Sequence, residues 1–90
     1  MSDACYVYAI GRPGASLPDD LRGLDDRPLS VVALRDLEAV VSEIVRERLQ
    51  ASAENVLRHE FVIEAVRRVR PAIPVRFGTV LSDAEAVATA

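Results

Sequence analysis

PAIPVRFGTV, residues 71–80, is apolar at nearly every position, yet it carries Arg76 between Val75 and Phe77 and closes on Gly78-Thr79. Read as a strand, it alternates across the sheet, with Ile73, Val75 and Phe77 on one face and Pro74, Arg76 and Gly78 on the other. Pro74 has no N–H to give to a ladder, so this strand, placed at Ile73–Phe77, belongs at a sheet edge. Arg76 then leaves the core, provided that a helix covers the Ile73 side.

Such a helix lies just upstream. Residues 51–70 carry Ser52 as a plausible N-cap and place Phe61, Val62, Ala65, Val66 and Val69 on one side at 3.6-residue spacing. That side is expected to face the sheet, with Glu60, Glu64 and Arg67 opposite. Glu54 with Arg58 and Glu64 with Arg68 stand in the favoured i,i+4 order. Arg67, Arg68 and Arg70 suit the negative end of the helix dipole, and Pro71 ends the helix.

Further upstream, LSVVAL (29–34) and LEAVVSEIV (37–45), separated by Arg35-Asp36, read as a β-hairpin. CYVYAI (5–10) is a first strand, ended by Gly11-Arg12-Pro13-Gly14. The segment 15–28 reads as a loop with at most one helical turn beginning at Pro18. After the 71–80 stretch, Ser82-Asp83-Ala84-Glu85 has the pattern of a capping box that opens another helix. So short a helix is marginal alone, which suggests the front part of a longer protein.

The order strand, connector, hairpin, helix, strand predicts an α+β, ferredoxin-like antiparallel sheet of about four strands. One main helix packs on one face, and the first helix of that plan is short or missing. The final strand is expected at an edge beside the first. Tyr6, Tyr8 and Ile10 alternate with Cys5, Val7 and Ala9, while Val32 and Leu34 alternate with Leu29, Val31 and Ala33. Val40 and Ile44 likewise alternate with Ala39, Val41 and Val45. Both sheet faces are therefore apolar, and one helix cannot cover both. The uncovered face is the expected interface, with Arg76 as a fork-shaped donor beside it, or else simply as a cap of the patch or a bridge to Glu43 or to a following domain.

Composition removes several classes of function. Ninety residues, half of them hydrophobic, make one domain with a modest core. No apolar run approaches the roughly 18 residues of a membrane-spanning helix, and the N-terminus has no secretory pattern, so a soluble cytoplasmic protein is expected. With Cys5 and His59 each the only one of its kind, neither an internal disulfide nor a zinc ligand set can form from this sequence. The net charge is −3, and Arg58, Arg67, Arg68 and Arg70 are interleaved with glutamates, unlike the continuous basic face that nucleic acid requires. Gly11-Arg12-Pro13-Gly14 lacks the spacing of a phosphate loop, and no cofactor motif is present. For catalysis, Ser42 has no identifiable base and Cys5 reads as an inert strand thiol. His59 borders the apolar side of the helix, where a packed, an interfacial and a general-base role all remain open; Glu60, about 100° away, cannot orient it.

Tyr6-Val7-Tyr8-Ala9-Ile10, Ala39-Val40-Val41-Ser42-Glu43, Leu57-Arg58-His59-Glu60 with Val62-Ile63-Glu64, and Pro74-Val75-Arg76-Phe77-Gly78-Thr79-Val80 together resemble the F/L family of gas vesicle accessory proteins. The resemblance runs in order over essentially the whole chain, and the block from Pro74 to Thr79 after a histidine-bearing helix is its most specific part. It implies a non-enzymatic, cytoplasmic role in assembling gas vesicles, the hollow protein shells that give buoyancy. The implied partners are the hydrophobic major shell protein and other accessory proteins, in a chaperone-like or nucleating role; self-association is a further possibility, and nucleic acid and membrane are not expected partners. Residues 1–80 then form the N-terminal domain and 81–90 begin a helix leading to a further domain. The candidate partner-binding residues are Arg76, Tyr6, Tyr8, Phe77 and His59. The competing reading is a ferredoxin-like homodimer, or a small cofactor-free enzyme using His59.

Overall fold

The computed structural model describes residues 3–14 and 17–82. Strand β1 (Asp3–Gly11) is followed by the hairpin of β2 (Leu29–Leu34) and β3 (Leu37–Val45), helix α1 (Ala53–Val69), and two short strands, β4 (Ala72–Pro74) and β5 (Val80–Leu81). Short 3-10 turns stand at Leu24–Asp26 and Arg46–Arg48. All pairings are antiparallel, in the order β2-β3-β1-β4, with β5 also on β1. The described residues thus form an α+β fold in which α1 packs on one side of the sheet.

Local chemistry accounts for most boundaries. The Ser52 side chain accepts a hydrogen bond from the Asn55 amide (3.2 Å) and caps α1. At the other end Arg70 is extended, as a residue before proline prefers. The two-residue connection Arg35-Asp36 closes the hairpin, with Arg35 at a φ of 43°.

Two phases differ from the sequence expectation. In β1 the register slips between Val7 and Ala9, leaving Tyr8 as an extra residue. Tyr6, Tyr8 and Ala9 consequently pack on the α1 side, while Ile10 joins Cys5 and Val7 on the other. In α1 the buried residues are His59, Val62, Ile63 and Val66, and Phe61 and Val69 are exposed. The inward face is rotated by somewhat less than one residue's turn of about 100°. The expected pairs on the helix are also replaced: Arg58 lies 3.7 Å from Asp26, and Glu64 lies 3.9 Å from Arg67.

The larger correction concerns residues 71–80. Alternation fails because the ladder stops at Pro74, paired with Ala9, and resumes only at Val80. Ile73 is 70% exposed, Val75 packs on the far side of the sheet, and Phe77 packs on the helix side. The chain between the two strands stays fastened to β1, since Val75 N donates to Tyr8 O (2.9 Å) and Val7 N donates to Thr79 O (3.0 Å). The expected capping box falls largely outside the described residues.

Arg70 is also unlike its neighbours Arg67 and Arg68. Its side chain is buried, its Nη1 donates to Glu38 (2.8 Å) and to the Arg12 carbonyl (2.9 Å), and its Nε and Nη2 have no partner among the described residues. This pair joins the end of α1 to the β1 and β3 ends of the sheet. Removing one member strands a buried charge, whereas replacing both leaves none. Glu38→Ala should therefore lower stability by about 3 kcal/mol, and Glu38→Leu with Arg70→Met should recover most of that loss in urea unfolding.

Candidate partner-binding site

The segment Arg76-Phe77-Gly78-Thr79 is a tight turn. Thr79 donates to the Arg76 carbonyl through both its amide (3.3 Å) and its hydroxyl (2.8 Å). Gly78, at the third position, has a φ of 89°, which side-chain-bearing residues avoid and which type II turns require. The turn presents Arg76 to solvent and sends Phe77 inward.

A buried polar chain holds this turn from below. His59 Nε2 donates to the Val75 carbonyl (2.8 Å), so Nδ1 is left as an acceptor for the Tyr6 hydroxyl (2.8 Å). The Tyr6 oxygen in turn accepts from the Gly78 amide (3.1 Å). Helix, central strand and turn are thus joined by three consecutive hydrogen bonds that fit a neutral imidazole. The rings reinforce the arrangement: Phe77 meets His59 edge-on at 5.5 Å and Tyr6 at 6.1 Å, and Tyr8 stacks on His59 at 5.8 Å.

Tyr8 carries a second chain. Its oxygen accepts from Leu24 N (2.8 Å) and shares a hydrogen bond with Ser42 Oγ (2.8 Å), which ties the 17–28 loop to β1 and β3. A Cβ on Gly23 would overlap the Tyr8 hydroxyl, so this position needs glycine for space.

The five residues singled out from the sequence are therefore distributed over two layers. Tyr6, Tyr8 and His59 are fully buried, Phe77 is half-buried over them, and Arg76 is exposed at the tip. Among the described residues the Arg76 guanidinium enters no ion pair, and Glu43 pairs instead with Arg27 at 3.6 Å. His59 is only 1% exposed and has both ring nitrogens engaged, so this arrangement offers no open base, and Ser42 is equally enclosed. No group of three or more His, Cys, Asp or Glu side chains able to hold a metal occurs among the described residues.

The other surface of note is the far face of the sheet. Cys5, Val7, Ala39 and Val41 form a second apolar cluster to which no α1 residue belongs, but contrary to the expectation of an uncovered face these four are buried, and only the flanking Ile10, Val32, Leu34, Val75 and Leu81 are partly exposed. Leu24 is a member of the site that sequence reading did not name, while Ser42 was weighed only as a nucleophile and Gly78 only as the end of the apolar stretch. Only Gly78 had a local cue, as the glycine that closes the apolar stretch.

The model of the family described as "Gas vesicle synthesis protein GvpL/GvpF" matches residues 4–90. The chain belongs to that family. It is 33% identical over 89 residues to gas vesicle protein F of Dolichospermum flosaquae, and 31% identical over 91 residues to gas vesicle protein F of Nostoc sp.. Those matches cover 97% and 99% of this chain but 36% and 37% of the relatives, so the chain spans little more than a third of their length. The crystal structure of the gas vesicle protein GvpF from Anabaena sp. superposes with a TM-score of 0.79 at 31% identity, over 98% of this chain and 37% of that one. GvpF from Microcystis aeruginosa gives 0.78 at 29% identity, over 93% and 36%. Among the described residues no helix is long and apolar enough to cross a membrane.

Tyr6→Phe removes the middle of the polar chain and leaves the Gly78 amide and His59 Nδ1 unsatisfied. It should cost about 1–3 kcal/mol in urea unfolding and speed hydrogen exchange at the Gly78 amide. The tyrosines also predict an alkaline limit. Burial pushes the Tyr6 hydroxyl from 10.0 up to about 12, and burial raises Tyr8 as well. The fold favours the neutral phenols, so this contribution is complete below pH 10 and is lost as pH rises through about 12. Absorbance at 295 nm should show tyrosinate appearing together with loss of the folded far-UV spectrum.

Proposed function

We propose that this chain acts in gas vesicle synthesis as a non-enzymatic binding module. It holds the hydrophobic shell protein, and fellow accessory proteins, during shell assembly, in a chaperone-like or nucleating role in the cytoplasm and at the vesicle. The observation that carries this reading is the partly exposed apolar rim of Ile10, Val32, Leu34, Val75 and Leu81 around the second cluster, on the side of the sheet opposite α1; Cys5, Val7, Ala39 and Val41 beneath it are buried. A partly exposed apolar rim is suited to contact with a greasy client, and family membership supplies the process in which such a client occurs.

Arg76 follows Val75, a residue that packs on this cluster, and it offers five donors on an apolar stem to carboxylates or backbone carbonyls of the client. Phe77, Tyr6, His59 and Tyr8 serve the same contact indirectly, by fixing the turn that displays it. Contact across the sheet face is favoured over strand addition at β4, because that ladder is three residues long and ends in a proline.

Co-expression with a gas vesicle shell protein tests the proposal. The native chain should raise the soluble fraction of shell protein, and Arg76→Ala should keep the fold while weakening capture by about tenfold. Equal capture by the variant would make Arg76 merely structural, and no gain in soluble shell protein with the native chain would overturn the binding role.

A further inference from the structure

Helix α1 carries an outward stripe that neither the core nor the turn uses. Leu57 is 68% exposed and Phe61 60%, one turn apart on the same side. Glu54 and Arg68 lie two turns before and two turns after Phe61, so both fall on this stripe. Neither enters an ion pair among the described residues, although Arg58 and Arg67 do.

On the stripe itself, Glu54 stands at the N-terminal end and Arg68 at the C-terminal end, with Glu64 between Phe61 and Arg68 paired to Arg67. At the N-terminal end of the helix a groove of about 670 Å³ is lined by Asp20, Asp26 and Glu54 together with Leu57 and Phe61. The arginines of that groove are occupied within the chain, Arg58 by Asp26 and the Gly23 carbonyl and Arg22 by the Asp19 and Leu21 carbonyls. At the C-terminal end a second groove is lined by Arg67 and Arg68. Glu54 and Arg68 flank the central Phe61 at equal distance, and with Glu64 already paired to Arg67 these two unpaired charges make the stripe complementary to itself when turned end for end.

We propose that the outward face of α1 is a self-association surface on which a second copy of this chain packs antiparallel, about a two-fold axis at Phe61. Phe61 then meets Phe61 of the second copy, Leu57 flanks that contact, and Glu54 of each copy faces Arg68 of the other. A parallel arrangement would set acid against acid and base against base, so the charge pattern selects the antiparallel one. The contact is isologous and closes at two copies. One helix face from each copy buries less than a standard interface, so the dimer is weak and reversible, with a dissociation constant on the order of 0.1 mM.

Sedimentation equilibrium of the 90-residue chain from about 0.02 to 1 mM tests this, with far-UV spectra confirming that each variant is folded. The native chain should show a monomer–dimer equilibrium that weakens at high salt, and Phe61→Asp should raise the dissociation constant at least about tenfold. Glu54→Arg and Arg68→Glu should each weaken dimerisation about three- to tenfold at low salt. Their equimolar mixture should recover it, because in the mixed dimer the two reversed charges face each other and the native Glu54 and Arg68 face each other. A native chain that stays monomeric at 1 mM, undiminished dimerisation of Phe61→Asp, or a mixture no tighter than its separate components would overturn the proposal.

Discussion

The hydrogen-bond chain from Gly78 through Tyr6 and His59 to Val75 joins the central strand, the helix and the returning edge of the sheet. Each link restricts the next. In the neutral imidazole, with Nε2–H donating to a carbonyl, Nδ1 accepts from the Tyr6 hydroxyl, and the lone pairs of Tyr6 are then available to an amide. In a core this small, three satisfied polar contacts specify one alignment of α1 over β1, which apolar packing of Val62 and Val66 alone leaves less defined. An unmade link would leave a buried donor or acceptor bare, and that asymmetry favours the chain as a unit.

The same constraint explains how an exposed arginine comes to be held at a fixed place. A loop leaving the ladder at Pro74 would ordinarily be mobile, but Val75, Phe77, Gly78 and Thr79 are each fastened, two of them by the polar chain and two by contacts to β1 and to the ring cluster. The bulge at Tyr8 contributes from the other side. By inserting one residue it puts both tyrosines under the helix and frees the following Ile10 for the opposite face, which enlarges the apolar cluster there.

Much of this was legible in the residues. Alternation and a two-residue connection placed the hairpin, Ser52 and Pro71 bounded the helix, and excess apolar residues pointed to a second cluster, though not to its burial. What was misread has physical causes. Period-two alternation over 73–77 assumes an unbroken ladder, whereas Gly78 at positive φ draws the preceding residues into a turn. A bulge leaves no signature in a run such as CYVYAI, since it depends on the partner strand. Counting His59 as polar rotated the expected helix face towards Phe61, because hydropathy takes no account of a histidine with both nitrogens satisfied. Among Arg67, Arg68 and Arg70, only the last finds a buried carboxylate, Glu38, and nothing local distinguishes it.

The two flanks of the sheet are unequal. On the β4 side, three paired residues ending in a proline, and then a turn, precede two more paired residues, so no continuous row of donors and acceptors is left for another chain to copy. On the β2 side, six residues run without a break. Among the described residues, only the β2 edge therefore offers an unbroken strand to backbone pairing.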